Sequence, residues 1–248
     1  MKVSIVTTAY NSAKTIEDTI KSVLSQTYPN IEYIIVDGGS TDGTQEVIMS
    51  YKSKVSRFVS ERDKGIYDGM NKGYALATGD VVGQINSDDF YGSSDVIQKV
   101  VDAFQKSKAD VCYGDLEYVD EKNTDHVFRR WKAEEYDSKK FKRGWMPPHP
   151  TFFARRETYQ KYGTFRLDMG TSADYELMLR LLLKHKLSAC YIPEILVKMR
   201  VGGASNKNLW RRLKANRNDY RAWKVNGLKV SPLILLWKPL SKLHQFFK

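Results

Sequence analysis

Two adjacent carboxylates, Asp88 and Asp89, follow the apolar stretch 81–85 and come directly after Asn86 and Ser87. Like charges at the end of a strand repel each other and favour a bound cation. Mg²⁺ and Mn²⁺ prefer oxygen ligands and can bridge protein carboxylates to the phosphates of a substrate. The same residue types are common at helix N-caps and in turns. This stretch alone therefore leaves a metal site and a helix cap as alternatives.

The elements that must position these acids alternate regularly along the first half of the chain. Helical spacing of apolar residues predicts a helix between each successive pair of strands. The strands are predicted from β-branched and apolar runs at 2–8, 31–36, 57–60, 81–85 and 110–114. Such alternation predicts βαβ units and a parallel sheet, with ligands at the carboxyl ends of the strands. Polar clusters follow four of these strands, at 8–11, 37–42, 61–63 and 86–89.

The turn after the first strand, residues 8–12, contains no glycine, whereas a dinucleotide-binding fold requires G-x-G-x-x-G there. Asp37 ends the second strand, where an acid can bond a ribose hydroxyl or a base N–H group. It is also a common turn residue before two glycines. The pattern favours a nucleotide whose phosphates need another counter-ion, which Asp88 and Asp89 can hold.

Length and composition favour a cytoplasmic protein. The 248 residues fit one large domain, or one domain with a small appendage. No run approaches the roughly 20 apolar residues of a membrane span. The N-terminal apolar run is too short and polar for a signal peptide. The two cysteines, Cys112 and Cys190, make no disulfide framework and no metal-binding spacing.

The net charge of +11 is concentrated at the C-terminal end. Residues 207–248 contain eleven Lys/Arg and one acid, so residues 1–206 are close to neutral. This distribution argues against nucleic acid as a partner and predicts a catalytic domain, 1–206, followed by a basic amphipathic helical tail, 207–248. Basic helices with Trp, Leu and Phe suit an anionic membrane surface. The alternative is a helix packed on the catalytic body with a solvated basic face.

At this point the sequence resembles the family 2 inverting glycosyltransferases of the GT-A fold, over about residues 1–205. The resemblance implies a Rossmann-like, mainly parallel sheet flanked by helices, with a nucleotide-sugar half (1–115) and an acceptor half (116–206). The region 60–71 looks most like enzymes of O-antigen and capsule assembly. The motifs that carry the resemblance are, in order, VSIVTTAYN (3–11), IVDGGSTDGT (35–44), NKG with ATGD (71–73 and 77–80) and NSDD (86–89).

On the nucleotide side, the resemblance implies that Asp37 binds the base, usually uracil, with Asp63 on the same face. The family's D-x-D falls on 86–88, so Asn stands in place of its first Asp. Asp88 and Asp89 are then the Mn²⁺ or Mg²⁺ ligands, with Asp88 first. Met70 stands where many members have Arg, and Lys72 or Lys64 can supply that charge. The full set implied for donor binding is Thr8, Ala9, Tyr10, Asp37, Asp63, Asn71, Asn86, Asp88 and Arg200.

On the acceptor side, the family's Glu-Asp pair falls on Ala173-Asp174, which implies that Asp174 is the general base. Its alternative role is to cap the helix that begins there. Arg200, beside the Gly-Gly turn at 202–203, is implied to contact the leaving group. The Pro-rich stretch 145–153 is expected to form the acceptor wall, and its His149 is either a participant or a structural residue.

These inferences predict a metal-dependent inverting glycosyltransferase that transfers a sugar from a nucleotide diphosphate, usually UDP, to a polyprenyl-linked saccharide at the inner membrane face. One alternative is an inactive GT-A-fold protein that binds membrane or polysaccharide, favoured by Asn86, Met70 and Ala173. A sugar nucleotidyltransferase is the other, although it requires a Gly-rich basic loop after the first strand, which is absent.

Overall fold

The computed structural model describes residues 1–201 and 209–231, which form one nine-stranded mixed sheet flanked by helices. The strands are β1 (Val3–Ala9), β2 (Ile31–Asp37), β3 (Arg57–Ser60), β4 (Val81–Asn86), β5 (Phe90–Tyr91), β6 (Val111–Val119), β7 (Val127–Trp131), β8 (Phe153–Arg155) and β9 (Ala189–Arg200). The helices are α1 (Ile16–Leu24), α2 (Thr44–Ser50), α3 (Ile66–Leu76), α4 (Val96–Ser107), α5 (Ser138–Phe141), α6 (Arg156–Tyr162), α7 (Ala173–Met178) and α8 (Leu209–Val225). A π-helical segment, Leu179–Lys184, continues α7, and short 3₁₀ turns occur at Lys52–Lys54, His149–Thr151 and Leu167–Ser172.

The N-terminal half of the sheet is parallel, as the alternation of strands and helices predicts. Its strand order is β3-β2-β1-β4, with β1 between the other two long strands. All seven residues of β1 are buried, as are six of the seven in β2. Near-continuous apolar strands are typical of parallel sheets that are covered on both faces.

The other half of the sheet is mixed. The short strand β8 runs antiparallel to both β4 and β6 and so joins the two halves. Gly83 allows this junction, because a Cβ at that position would lie 2.2 Å from Cε1 of Phe153. The twelve-residue β9 runs parallel to β6.

From Asp219 onward, one face of α8 is buried against the turn Leu167–Ser172 and α7, through Asp219, Ala222 and Trp223. Arg217, Arg221 and Lys224 are exposed on its other side. This part of the predicted tail therefore packs on the catalytic body with a solvated basic face. The boundary expected at 206 and the segment 232–248 lie outside the described residues. None of the helices within 1–201 and 209–231 is long and apolar enough to cross a membrane.

Candidate active site

The carboxyl ends of β1, β2, β4 and β9 meet at one edge of the sheet and bring most of the predicted donor residues together. Backbone register places Ala9 opposite Asp37 and Thr8 opposite Asn86. Arg200, at the end of β9, contacts the turn that follows β4. The carboxyl ends of the strands form the edge at which an α/β sheet binds its ligand.

Tyr10 and Asp63 approach two glycines between the end of β1 and the start of α3. Tyr10 is 64% exposed, and its Cδ2 atom lies 3.3 Å from the position of a Cβ at Gly38. Oδ2 of Asp63 lies 2.6 Å from that same position and 3.2 Å from a Cβ position at Gly69. The absence of a Cβ at the two glycines thus allows the Asp63 carboxylate to lie close to the Tyr10 ring, beside Thr8. An exposed ring and an acceptor oxygen suit a flat base with N–H donors.

Asp37 is placed differently from Asp63. Its carboxylate has no exposed surface and accepts hydrogen bonds from the backbone N–H groups of Gly39 and Ser40, at 3.1 and 3.0 Å. The Ser60 hydroxyl donates to Oδ2 at 2.6 Å, and the Ser40 hydroxyl donates to Oδ1. In this arrangement Asp37 holds the turn after β2, and Asp63 has the more accessible oxygen.

The turn after β4 separates the two adjacent acids. Asp89 has no exposed surface, and its carboxylate accepts from Nδ2 of Asn86 at 2.9 Å and from the backbone N–H of Arg200 at 3.3 Å. Burial and the neighbouring Asp88 charge raise the pKa of Asp89 well above its usual range. The Asp89 carboxylate is thus buried and already hydrogen-bonded, which leaves Asp88 as the first candidate of the predicted metal pair.

Asp88 is half-buried in the same turn, and burial raises the pKa of its carboxyl group. The charges of Arg200 and His149 act in the opposite direction. Arg200 donates from Nη1 to the Asp88 carbonyl oxygen at 2.8 Å and from Nη2 to Asp18 at 2.5 Å. Its guanidinium also lies 4.9 Å from the centre of the Phe90 ring. Arg200 thus braces the acidic turn, and the Gly-Gly turn predicted to work with it lies outside the described residues.

Three buried polar atoms at this edge of the sheet have no hydrogen-bond partner within the described part of the chain. They are Oγ1 of Thr8, Oδ1 of Asn86 and Nε of Arg200. Buried polar groups are normally paired, so each unpaired one requires an explanation. Two of the three side chains end neighbouring parallel strands in direct register. A polar ligand in the crevice would account for them.

Asp174 lies in the first turn of α7, on the acceptor side of the same crevice. Its side chain is 13% exposed, and Oδ1 accepts from the backbone N–H of Tyr175 at 2.8 Å. Oδ2 lies 3.4 Å from Nδ1 of His149. Tyr67, in the first turn of α3, also faces this carboxylate: burial and the Asp174 charge raise the pKa of the Tyr67 hydroxyl. The expected base is therefore surrounded by partners from three separate segments.

Comparison with known proteins identifies the family. Residues 4–164 match the family described as Glycosyl transferase family 2. The chain is a family 2 glycosyltransferase. An uncharacterized glycosyltransferase of Mycobacterium tuberculosis is 32% identical over 184 residues, covering 72% of this chain and 68% of that protein. Escherichia coli chondroitin synthase is 29% identical over 199 residues, covering 76% of this chain but 28% of that larger protein.

Solved structures show the same fold. Staphylococcus aureus TarS, residues 1–349 in complex with UDP-GlcNAc, has a TM-score of 0.72 at 15% identity, covering 98% of this chain and 73% of that one. The mannosyltransferase PcManGT from Pyrobaculum calidifontis, with GDP-Man and Mn²⁺, has a TM-score of 0.66 at 19% identity, covering 98% and 70%. At these identities the likeness shows the GT-A fold of this glycosyltransferase and no more.

Other residues implied in donor binding have structural partners in this glycosyltransferase. Asn71 exchanges two hydrogen bonds of 2.9 Å with the backbone of Phe165, so it joins α3 to the acceptor half. Met70 is buried, and the Lys72 ammonium group lies 2.8 Å from Glu61. Lys64 is exposed. Of the two lysines proposed to replace the family's Arg, Lys72 is thus engaged in an ion pair.

The residues present fit a divalent cation with few protein ligands. No group of three or more His, Cys, Asp or Glu side chains is arranged for a metal in the ranges 1–201 and 209–231. The half-buried carboxylate of Asp88 and the unpartnered amide oxygen of Asn86 stand in one turn, and both are hard oxygen donors. Mg²⁺ commonly binds through one or two protein oxygens and completes its shell with phosphates and water.

Two features of the site were not expected from the sequence. Ser60 bonds Asp37 because it ends β3 directly opposite Asp37 in the register. Tyr67 faces Asp174, and it lies one helical turn before Asn71 in α3. Residues four apart share one face of a helix, so the position of Asn71 was the available signal for Tyr67.

Proposed function

We propose that the protein is an inverting glycosyltransferase that transfers a sugar from a nucleotide-diphosphate donor to a hydroxyl group of a saccharide acceptor. We also propose that the donor is a UDP-sugar. One observation carries the proposal: Asp88 and the unpartnered polar atoms lie at one edge of the sheet, and His149, whose charge acts on Asp88, lies 3.4 Å from Asp174. Fold relatives bound to UDP-GlcNAc and GDP-Man support a nucleotide-sugar donor.

On the donor side, we assign base recognition to the pocket between Tyr10 and Asp63. Thr8, Ala9 and the glycine-lined space beside them would accept the nucleoside. Asp88, with Asn86 in the same turn, would hold Mn²⁺ or Mg²⁺ together with the diphosphate. A bound cation neutralises the charge that develops on the departing diphosphate. The bracing of this turn by Arg200 keeps the Asp88 backbone fixed when the donor arrives.

On the acceptor side, we assign the general base to Asp174. Its carboxylate takes the proton of the acceptor hydroxyl while that oxygen forms a bond to the anomeric carbon. The bond from the anomeric carbon to the diphosphate oxygen breaks, and its electron pair leaves with the nucleoside diphosphate. Attack from the face opposite the leaving group inverts the anomeric configuration.

Substitution of the two acids tests this assignment. Asp174→Asn keeps the shape of the side chain but removes the base, so transfer should fall at least about 10³-fold while donor affinity stays within about twofold. Asp88→Ala should abolish both transfer and Mn²⁺-dependent donor binding. Transfer from radiolabelled UDP-sugars and calorimetry of UDP with Mn²⁺ would measure the two effects.

Asp102→Asn, on the exposed side of α4, is the matched control for a lost carboxylate and should retain full activity. Normal turnover in Asp174→Asn would exclude it as the base. A wild-type protein that neither transfers nor hydrolyses any nucleotide sugar, and shows no nucleotide-dependent thermal shift, would instead favour a non-catalytic binding protein.

We further propose that the acceptor is carried on polyprenyl pyrophosphate and that residues 207–248 contact an anionic membrane, which would place the protein at the inner face of the cell membrane in polysaccharide assembly. The exposed Arg217, Arg221 and Lys224 on α8 support this proposal. Vesicles of phosphatidylglycerol should sediment the full chain, and Arg217→Gln/Lys224→Gln should weaken that binding. Equal sedimentation with neutral phosphatidylcholine vesicles would contradict an electrostatic contact.

A further inference from the structure

We propose that His149 is a positioning residue for Asp174: its Nδ1–H group donates to Oδ2 and aims the other carboxylate oxygen at the acceptor hydroxyl. The inference rests on the proposed function, because it assigns His149 a role through the base named there. With this role, the Pro-rich stretch 145–153 would take part in the reaction in addition to forming the acceptor wall.

The two side chains face each other across the floor of the crevice. Nδ1 of His149 lies 3.4 Å from Oδ2 of Asp174, and the side chains are 25% and 13% exposed. Both line a cavity of about 10 Å³, which has room for about one water molecule. The other walls are mainly apolar and include Phe152, Phe165 and Leu177. A polar contact in such surroundings is stronger than the same contact in water.

The backbone of His149 is held rigidly from both sides. Pro147, Pro148 and Pro150 restrict the chain around it, and the turn closes with a hydrogen bond from Thr151 N–H to the Pro148 carbonyl at 3.1 Å. The buried Thr151 hydroxyl lies 2.9 Å from the carbonyl oxygen of Gly114 in β6. This anchoring fixes the imidazole relative to the sheet, so that little conformational entropy is lost when it orients Asp174.

Asp174 is fixed independently. Its neighbour Tyr175 accepts a 3.0 Å hydrogen bond from Nε1 of Trp223, and Glu176 pairs with Arg180 and with Asn226. Two rigid supports from different parts of the chain thus meet at the 3.4 Å contact. A contact built in this way has a defined geometry, which a base needs if it is to meet a hydroxyl group within hydrogen-bond reach.

The charges that face His149 point to the same role. Its Nδ1 atom lies 3.4 Å from the carboxylate of Asp174. Tyr67 approaches Asp174 from α3. The imidazole therefore stands beside the proposed base, where it can orient that carboxylate without needing to accept the acceptor's proton.

Substitution with a matched pair of side chains tests the proposal. Asn and Leu have nearly the same shape, but only Asn offers an N–H donor close to the position of Nδ1. In His149→Leu, we expect kcat for transfer to fall about 30- to 100-fold, because a misoriented base costs about that much. His149→Asn should stay within about fivefold of wild type. The donor KM and the affinity for UDP should not change in either variant.

The controls separate this role from others. His126→Leu, in the exposed loop before β7, should match wild type in every measurement. A positioning role requires that Asn rescues kcat while UDP affinity is constant. Equal loss in both variants, a parallel loss of UDP affinity, or full activity in His149→Leu would each overturn it. If Asp174→Asn is inactive while His149→Leu is normal, this inference fails and the proposed function stands; an inactive wild type would remove the proposed function itself.

Discussion

In the half that we propose binds the nucleotide, residues 1–115, the pairing of neighbouring parallel strands positions the polar groups of the site. Asp37 bonds Ser60, its register partner in β3, and Thr8 stands opposite Asn86 in β4. In the acceptor half, the partners come from distant parts of the chain. Asp174 faces His149, and the residue after it is bonded by Trp223 of α8. The first half is organised by strand pairing, and the second by long-range side-chain contacts.

The two halves of the chain differ in how easily a substitution can disturb the geometry of the site. A set of parallel strands places its carboxyl ends together whatever the distant chain does, because the backbone hydrogen bonds fix the register. The acceptor half has no such scaffold around α7, and its base depends on side chains that must each be in place. We therefore expect substitutions in the acceptor half to change turnover, and substitutions in the nucleotide half to change donor affinity or overall stability.

The largest effect is expected at the buried ion pair of the acceptor half. Arg180 pairs with Glu176 at 3.0 Å and also donates to the carbonyl oxygens of Gly163 and Thr164. Arg180→Ala leaves Glu176 buried without its charge partner, which costs about 3–5 kcal/mol of unfolding free energy. Chemical denaturation would measure the loss. Arg166→Ala, which breaks an exposed pair with Asp168, is the control and should change the unfolding free energy far less.

The second largest effect is expected on the unfolding free energy, from the buried carboxylate of Glu32 in the nucleotide half. Although burial acts to raise it, the pKa of Glu32 falls from 4.5 to about 2, because Lys2, Ser4 and Thr78 all donate to the carboxylate. The folded pKa lies below the unfolded one, so the ionised group stabilises the fold above about pH 4.5 and loses that effect as pH falls toward 2. Glu32→Gln should cost about 2–3 kcal/mol at pH 7.

This difference between Glu32→Gln and wild type should shrink steadily when denaturation is repeated at lower pH. A pH-independent difference would mean that the loss comes from packing and not from the charge. Turnover per folded molecule should be unchanged, because Glu32 ties the start of β4 to β1 and β2, far along the strands from their carboxyl ends.

The third effect concerns the donor pocket. In Gly38→Ala, the new Cβ would lie 2.6 Å from Oδ2 of Asp63, so that side chain must move away from the base position. We expect about a tenfold weaker affinity for UDP, or about 1.4 kcal/mol, with little change in kcat. Gly69→Ala places its Cβ 3.2 Å from the same oxygen and should have a smaller effect. Isothermal calorimetry would rank the two; the reverse order would contradict the assignment of Asp63 to the base.

The smallest effect is expected at Trp223, which connects α8 to the neighbour of the proposed base, Asp174. Trp223→Phe keeps most of the buried ring but removes the hydrogen bond to Tyr175, at a cost of about 1 kcal/mol. Because Tyr175 is next to Asp174, kcat should fall several-fold while UDP affinity stays constant. A change in UDP affinity without a change in kcat would show that α8 acts on the nucleotide half, and would contradict its assignment to the acceptor half.

The contrast between the halves also explains what the sequence could predict. Apart from the two-residue β5, the order of strands and helices up to β6 follows from local patterns, as does the position of Asp174 in the first turn of its helix. The burial of Asp89 and the proximity of His149 to Asp174 do not. The burial of Asp89 depends on how β9 packs against the turn after β4, and the His149–Asp174 contact depends on how the Pro-rich turn packs against α7. These contacts join residues that are 25 to more than 100 positions apart in the sequence.

The position of β8 between β4 and β6 affects the nascent chain during translation. During synthesis, β1 to β4 can pair as soon as Asn86 has left the ribosome, but the outer edge of β4 stays open until Phe153–Arg155 arrive. An unpaired strand edge invites association with other chains. The protein is therefore expected to be most prone to misassembly while its 87–155 region is being translated, and slowing translation there should lower the yield of native molecules.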